Sequence, residues 1–318
     1  MSIGDRHTVT AARTGIVLGG ALALLPALGI AVSRQVRGRF GRPTVRRGTA
    51  ALSAVPAAID VSVPGPGNAR LRGWFLPATR APEQGPAALV MHGWGGSALD
   101  MAPLAAPLRE AGVHTLLLDA RAHGRSDDST ITSMPHFAED VAAGLSWLRA
   151  HPLVDPARIV LVGHSVGAGA CLLAAHRDPG VAGVVSLSCM AEPRAVMTRL
   201  LSGAHLPGAV RWLALRYVEH AIGMGFAAFT PLTTLPTLTM PVLLIHGELD
   251  QVVPVTDAHQ LAAVAPTARL LVVPGVGHAD IEGVAAVSAT VREFVARATR
   301  PQPADKNQPC QPETTHPA

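Results

Sequence analysis

The sequence predicts an α/β domain over residues 57–300, in which a mostly parallel β-sheet is flanked by helices. Short apolar runs rich in Val, Leu and Ile alternate with helix-like segments, and such alternation is typical of parallel sheets with helical connections. Hydrophobic residues make up 48% of the 318 residues and charged residues only 15%, so the chain can bury a sizeable core. A buried strand, a tight turn and a helix of small residues also follow one another directly over residues 159–175.

The residues before the domain are predicted to hold a membrane anchor. A tail, residues 1–13, precedes twenty uncharged residues at 14–33, about the length that a helix needs to cross a bilayer core. A cleaved signal peptide is the alternative, because the sequence Ala31-Val32-Ser33 loosely resembles a cleavage site. We favour an uncleaved anchor, because the apolar run is long for a signal and a basic linker, residues 34–56, follows at once.

The basic linker sets the expected topology. Six arginines follow the apolar run within about fifteen residues, whereas only Arg6 and Arg13 precede it, so the domain is expected in the cytoplasm of a single-pass membrane protein. Since the net charge of +4 is concentrated in this linker, the rest of the chain offers no nucleic-acid-binding face. The six arginines of the linker are Arg34, Arg37, Arg39, Arg42, Arg46 and Arg47.

At the other end of the chain, the Pro- and Gln-rich residues 301–318 are predicted to be disordered.

Eight strands and the helices between them are predicted from the periodicity of apolar residues and from the turn residues that bound each run. Alternating residues on both sides of a Pro/Gly turn at 64–68 predict a hairpin, and hence an antiparallel start to the sheet. Apolar runs predict six further strands, at 88–92, 114–118, 159–163, 181–187, 242–246 and 269–273. Helices are predicted between them, at 99–112, 135–150, 168–175, 255–264 and 283–298.

The alternation stops at residues 189–240, which we interpret as a lid over the open end of the sheet. A helix is predicted at 207–222, followed by a loop rich in Pro and Thr. Four of the few aromatic residues fall in this lid, and they either line a substrate pocket or pin the lid to the domain. They are Trp212, Tyr217, Phe226 and Phe229.

The turn after the central strand carries the candidate nucleophile. Residues 163–167, Gly-His-Ser-Val-Gly, fit the pattern G-x-S-x-G and stand between a predicted strand and a predicted helix. Glycine at 163 and 167 allows a strained turn that exposes the Ser165 hydroxyl at the open end of the sheet. A Gly-Ser turn without chemical function is the alternative, since short motifs recur by chance.

A serine hydroxyl needs a base, and the base needs a group that orients it. These partners are expected after later strands, in the order acid and then histidine. Asp250 follows the strand at 242–246, with Glu248 and Glu192 as rival acids. His278 follows the last strand and is the candidate base.

An oxyanion hole needs backbone N–H donors. We expect one from Val166, directly after the nucleophile, and one from Trp94 in the earlier loop H-G-W-G-G-S. The stretch D-A-R-A-H-G-R-S, residues 119–126, is interpreted as a structural turn, because it precedes the nucleophile and so stands in the wrong order for the acid or base.

These motifs together resemble the α/β-hydrolase superfamily, and within it the serine aminopeptidase-like and prolyl-oligopeptidase-like hydrolases with a helical lid. The resemblance covers residues 57–298 and rests on H-G-W-G-G, D-A-R-A-H-G-R-S, G-H-S-V-G, G-E-L-D-Q-V-V-P and G-V-G-H. It implies Ser165 as nucleophile, Asp250 as acid and His278 as base. It also implies oxyanion donors at Trp94 and Val166. One departure is an alanine at 122, where such chains usually carry glycine, which puts that turn's conformation in doubt.

The sequence therefore predicts a serine hydrolase that cleaves a carboxylic ester or related acyl compound through an acyl-enzyme. An amidase, peptidase or thioesterase on the same residues is the alternative, as is a non-catalytic binding protein of this fold. The expected partners are a small acyl substrate and the membrane, and no oligomeric state is predicted. No metal or organic cofactor is expected. Cys171, Cys189 and Cys310 form no C-x-x-C pair, so neither a disulfide framework nor a zinc site is indicated.

Overall fold

An eight-stranded, mostly parallel sheet forms the centre of the protein. The computed structural model describes residues 57–80, 82–129, 131–202, 207–278, 280 and 288–300. The strands are β1 (Ile59–Pro64), β2 (Arg70–Leu76), β3 (Gly85–Met91), β4 (His114–Leu118), β5 (Val154–His164), β6 (Gly183–Leu187), β7 (Val242–Gly247) and β8 (Arg269–Val273). They lie in the order β1-β2-β4-β3-β5-β6-β7-β8. The pairs β1–β2 and β2–β4 are antiparallel and the other five are parallel, which confirms the predicted fold class.

Helices cover both faces of the sheet. In the described residues they are α1 (Ala102–Glu110), α2 (Met134–Arg149), α3 (Val166–Arg177), α4 (Pro193–Ser202), α5 (Gly208–Ile222), α6 (Pro231–Thr234), α7 (Val255–Val264) and α8 (Ser288–Ala298). One core lies between the sheet and α2, α3 and α7, and a second lies against α1 and α8. Leu89 and Met91 belong to the first core, whereas Ala88 and Val90 belong to the second, because successive side chains of a strand point to opposite faces.

The predicted elements agree with the structure most closely where turn residues bound an apolar run. The strands β4 and β8 and the helix α7 have the predicted bounds. The central strand β5 begins five residues earlier than predicted, at Val154, because Val154 pairs with Gly85 of β3. The sequence did not indicate this start, because Asp155-Pro156-Ala157 interrupts the run of apolar residues.

The lid segment, residues 189–240, contains more helix than predicted. The helix predicted at 207–222 is present as α5, but α4 was not predicted. The residues expected to form a loop after α5 contain α6 and two 3₁₀ turns, Phe226–Ala228 and Leu235–Thr237. Pro231 opens α6, where its fixed φ suits a helical first turn and its missing N–H costs nothing. The partly buried Val196 and Met197 of α4 pack on the core, so packing stabilises a helix that is too short to form alone.

Four predicted segments lie outside the described residues: the N-terminal tail at 1–13, the anchor at 14–33, the basic linker at 34–56 and the C-terminal tail at 301–318. In the part of the chain that the structure describes, no helix is long and apolar enough to cross a membrane. The anchor and the cytoplasmic topology stay predictions.

The parallel register brings the carboxyl ends of six strands to one edge. Met91 of β3 pairs with Gly163 of β5, and His164 pairs with Leu187 of β6. Leu187 pairs in turn with Ile245 of β7, two residues before that strand ends. The loops after these strands therefore meet at the same edge, where parallel sheets place their ligands.

Candidate active site

Ser165 occupies a strained turn between β5 and α3. Its φ of 55° and ψ of −117° lie in a region that non-glycine residues rarely adopt. Its N–H donates to Leu187 O (2.8 Å), which ties the turn to the next strand. A Cβ at Gly163 would overlap the backbone of Gly167, and a Cβ at Gly167 would overlap the backbone of His92. The turn that presents Ser165 therefore requires glycine at both positions.

The structure brings Ser165, His278 and Asp250 into one hydrogen-bonded chain. His278 Nε2 lies 3.0 Å from Ser165 Oγ, and His278 Nδ1 lies 2.7 Å from Asp250 Oδ2. With Nδ1 donating to the carboxylate, Nε2 is left to accept the serine proton. The rival acids lie elsewhere: Glu192 is exposed, and Glu248 accepts a hydrogen bond from Gly275 N.

Asp250 is buried and surrounded by donors. Its Oδ1 accepts hydrogen bonds from the N–H groups of Val252 (2.9 Å) and Val253 (2.8 Å). Its Oδ2 faces His278 and also His246, whose Nε2 lies 3.4 Å away. Burial raises the pKa of Asp250, but the hydrogen bonds from the two histidines and the backbone outweigh it and hold the pKa well below its usual range. The carboxylate is therefore charged throughout the neutral range.

Two further histidines contact the hydrogen-bonded residues His278 and Asp250, and the sequence analysis did not single them out. His164 Nε2 hydrogen-bonds to the backbone oxygen of His278 (2.8 Å), and the two rings lie 5.0 Å apart. His246 Nε2 donates to Val253 O (2.8 Å) beside Asp250. Both histidines stand at the carboxyl end of a predicted strand, next to a candidate residue or within four positions of one, and that placement was the available signal.

The residues predicted as oxyanion donors, Trp94 and Val166, line the same cavity as Ser165 and His278. Val166 is the first residue of α3, so its N–H has no carbonyl one turn earlier within the helix to bind. This leaves the donor free for a ligand oxygen next to the hydroxyl of Ser165.

The loop that carries Trp94 is held by two buried histidines. His92 Nε2 accepts from Ala120 N (3.1 Å) while its Nδ1 donates to Gly93 O (2.7 Å). His123 Nε2 accepts from Gly95 N (3.1 Å). Each ring is neutral in this arrangement, because a protonated imidazole has no acceptor nitrogen.

The stretch 119–126 forms a structural turn, as its position before the nucleophile predicted. Asp119 is buried, and its carboxylate accepts hydrogen bonds from Ala98 N (2.6 Å) and Arg125 N (3.1 Å). Ala122 adopts a φ of 57°, so alanine occupies a left-handed conformation that glycine would adopt without steric cost.

An apolar cavity of about 520 Å³ opens beside Ser165. It lies between the start of α2 and the lid, and its wall includes Met134, Met190, Met197, Val218, Ile222 and Phe229. Three of the four lid aromatics, Tyr217, Phe226 and Phe229, line it. Trp212 is 58% exposed and is not among the lining residues, so it neither lines this pocket nor pins the lid to the domain.

Within the described ranges, no three His, Cys, Asp or Glu side chains are grouped so that they could hold a metal ion. Cys171 and Cys189 are free and buried. Burial raises the pKa of the Cys189 thiol to about 12, so this group is protonated at neutral pH and is a poor nucleophile.

The buried histidines lead us to expect a loss of stability in mild acid. Burial lowers the pKa values of His92, His123 and His164 to about 4 in the folded protein. The unfolded chain, whose histidines titrate near 6.5, then binds more protons below neutrality, so the free energy of unfolding falls as pH falls. Between pH 7 and 5 we expect a loss on the order of several kcal/mol, measured by urea unfolding at each pH. His123→Gln, which keeps an acceptor for Gly95 N, should flatten this slope, and a pH-independent urea midpoint would contradict the assignment.

Comparison with known proteins agrees with this architecture. Residues 83–223 match the family model described as serine aminopeptidase, S33, and residues 229–310 match the model described as TAP-like protein. An uncharacterized protein of Mycobacterium tuberculosis is 36% identical over 237 residues, which cover 73% of this chain and 76% of that protein. The pimeloyl-[acyl-carrier protein] methyl ester esterase of Xanthomonas oryzae pv. oryzae is 30% identical over 254 residues, covering 67% of this chain and 96% of the esterase.

Solved structures show the same fold. An esterase of Pyrococcus furiosus superposes with a TM-score of 0.63 at 23% identity, covering 81% of this chain and 100% of the esterase. A Butyrivibrio proteoclasticus protein solved with ferulic acid bound gives a TM-score of 0.59 at 20% identity, covering 75% of this chain and 98% of that one. Together with the sheet order and the relatives above, these matches show that the chain belongs to the α/β-hydrolase superfamily.

Proposed function

We propose that the protein is a serine hydrolase that cleaves carboxylic esters through an acyl-enzyme. The observation that carries this proposal is the hydrogen-bonded chain from Ser165 through His278 to Asp250, at the wall of an apolar cavity. A hydroxyl, an imidazole and a buried carboxylate in this order are what acyl transfer to serine requires.

In the proposed reaction, Ser165 Oγ attacks the ester carbonyl carbon while His278 Nε2 takes the hydroxyl proton. The carbonyl oxygen becomes negatively charged and is stabilised by the N–H groups of Trp94 and Val166. His278 then gives its proton to the departing alcohol, which leaves the acyl group on Ser165. Water repeats the sequence and releases the acid. The charge of Asp250 stabilises the imidazolium and keeps Nδ1 as the protonated nitrogen.

An ester is favoured over an amide or a peptide by the cavity and by the relatives. The lining among the described residues is almost wholly apolar and offers few polar groups to bind a peptide backbone. One relative and one structural neighbour are named as esterases. The same residues are also suited to amide or thioester cleavage, and a binding protein of this fold would keep the cavity without turnover.

A panel of substrates with one acyl group tests the proposal. Purified protein is assayed with p-nitrophenyl butyrate, butyryl p-nitroanilide and a butyryl thioester. We expect the highest kcat/KM on the ester. A preference for the anilide or the thioester would reassign the reaction, and no turnover of any of the three would favour a binding protein.

A further inference from the structure

The wall of the cavity beside Ser165 carries no formal charge in the described part of the chain. Its lining includes no Asp, Glu, Lys or Arg, and its one imidazole is His278. Of the lid residues that line it, Met190, Val196, Met197, Val218, Ala221 and Ile222 are aliphatic or thioether side chains, Pro193, Phe226 and Phe229 are also apolar, and Tyr217 carries the one hydroxyl. A charged group placed among them would lose its water without gaining a partner, and such desolvation is strongly unfavourable.

The volume of the cavity sets a length for the substrate. At protein packing density a methylene group fills roughly 25–30 Å³, so the cavity of about 520 Å³ holds about eighteen non-hydrogen atoms. The ester group and the start of the alcohol take part of this space. A straight chain of about eight to twelve carbons fills the rest.

The thioethers suit a chain of this kind. Met134 lines the cavity from the start of α2, and Met190 and Met197 line it from the lid. Methionine is unbranched and adapts its rotamers to the ligand, so a wall of this composition accepts flexible aliphatic chains more readily than one rigid shape.

We propose that the substrate is an ester of an uncharged, medium-chain fatty acid, whose acyl chain of about eight to twelve carbons lies between α2 and the lid. This inference rests on the proposed function. The acyl part is assigned to the cavity because it stays bonded to Ser165 until water arrives, whereas the alcohol must leave. An aminopeptidase, which binds a free ammonium group, would need a carboxylate that no described lining residue supplies.

Two series of p-nitrophenyl esters test the chain and its charge. Each methylene that enters the cavity should raise kcat/KM by about two- to fourfold, from acetate to octanoate, and the gain should stop beyond about twelve carbons. An ammonium or carboxylate at the far end of the octanoyl chain should lower kcat/KM by about 10² or more. Equal rates for all lengths, or a preference for the charged octanoates, would overturn the inference. A dependence on the alkyl length of acetate esters instead would place the alcohol in the cavity.

A pair of substitutions on α5 links the length preference to the lid. Ala221 lines the cavity, whereas Ala209, on the same helix, is exposed and is not among the lining residues. Ala221→Phe should lower the octanoate-to-acetate ratio of kcat/KM by about tenfold or more, because the ring occupies the space of several methylenes. Ala209→Phe, the matched control, should leave the ratio unchanged. An unchanged ratio in Ala221→Phe, with circular dichroism showing a folded protein, would exclude this placement of the chain.

The experiments can reject the acyl-chain preference without rejecting the serine hydrolase activity. Hydrolysis of p-nitrophenyl acetate that is lost in Ser165→Ala would support the serine hydrolase even if chain length had no effect. Absence of turnover at every chain length would reject the proposed function itself.

Discussion

Ser165→Ala is expected to lower kcat by about 10⁴ to 10⁶ while the protein stays folded. The substitution removes the hydroxyl that lies 3.0 Å from His278 Nε2 and leaves no other atom there to form the acyl-enzyme. Its N–H can still donate to Leu187 O, and alanine meets the same backbone strain as serine at a φ of 55°. The free energy of unfolding should therefore change by less than about 0.5 kcal/mol. Ester hydrolysis and urea unfolding of the variant measure the two effects.

Ser188→Ala is the matched control. Ser188 also follows a parallel strand, is buried and has a φ of 49°, but it does not line the cavity. It should keep activity close to that of the unsubstituted protein. Retention of more than about a tenth of the activity by Ser165→Ala would remove Ser165 from the role of nucleophile.

Asp250→Asn is expected to lower kcat by about 10⁴ with little change in the geometry of the site. Because the N–H groups of Val252 and Val253 both need an acceptor at Oδ1, the asparagine would keep its oxygen there and turn its NH₂ group toward His278. That NH₂ donates to Nδ1, so the imidazole proton moves to Nε2, which can then no longer accept the proton of Ser165.

Glu248→Gln and Glu192→Gln are the controls, since both carboxylates were rival acids and neither contacts His278 in the structure. Each should keep kcat/KM close to that of the unsubstituted protein. A mild effect of Asp250→Asn together with a large loss in Glu192→Gln would show that Asp250 has the wrong role.

The sequence was sufficient to predict the fold class because its signals are local. Apolar runs such as β4 and β8 are bounded by turn residues, and their alternation with helices implies a parallel sheet. The strand order, which places β4 between β2 and β3, depends on contacts between distant residues, and no period or turn signal carries that information. The helix α4 was missed because its amphipathic pattern covers only ten residues, too few to form a helix without the packing on the core that the fold supplies.

The candidate site, like the fold, could be predicted from the sequence only in part. Ser165, Asp250 and His278 could be singled out because motif and order along the chain mark them, and the structure brings their side chains together. The contributions of His164 and His246 were missed, because a position at the end of a strand is shared by many residues and only the fold shows which of them contact the site. The methionine-rich wall also escaped notice, since its members come from separate segments that only the fold assembles.

Covalent labelling tests the central claim most directly. An alkyl fluorophosphonate reacts with a serine that an adjacent base activates and leaves a phosphonyl adduct that can be located by mass spectrometry of peptides. We expect one adduct per chain, on the peptide that contains Ser165, and none in Ser165→Ala. His278→Ala should be labelled far more slowly than the unsubstituted protein while staying folded. An adduct on another serine, or no adduct on the folded protein, would contradict the assignment of Ser165 as the nucleophile.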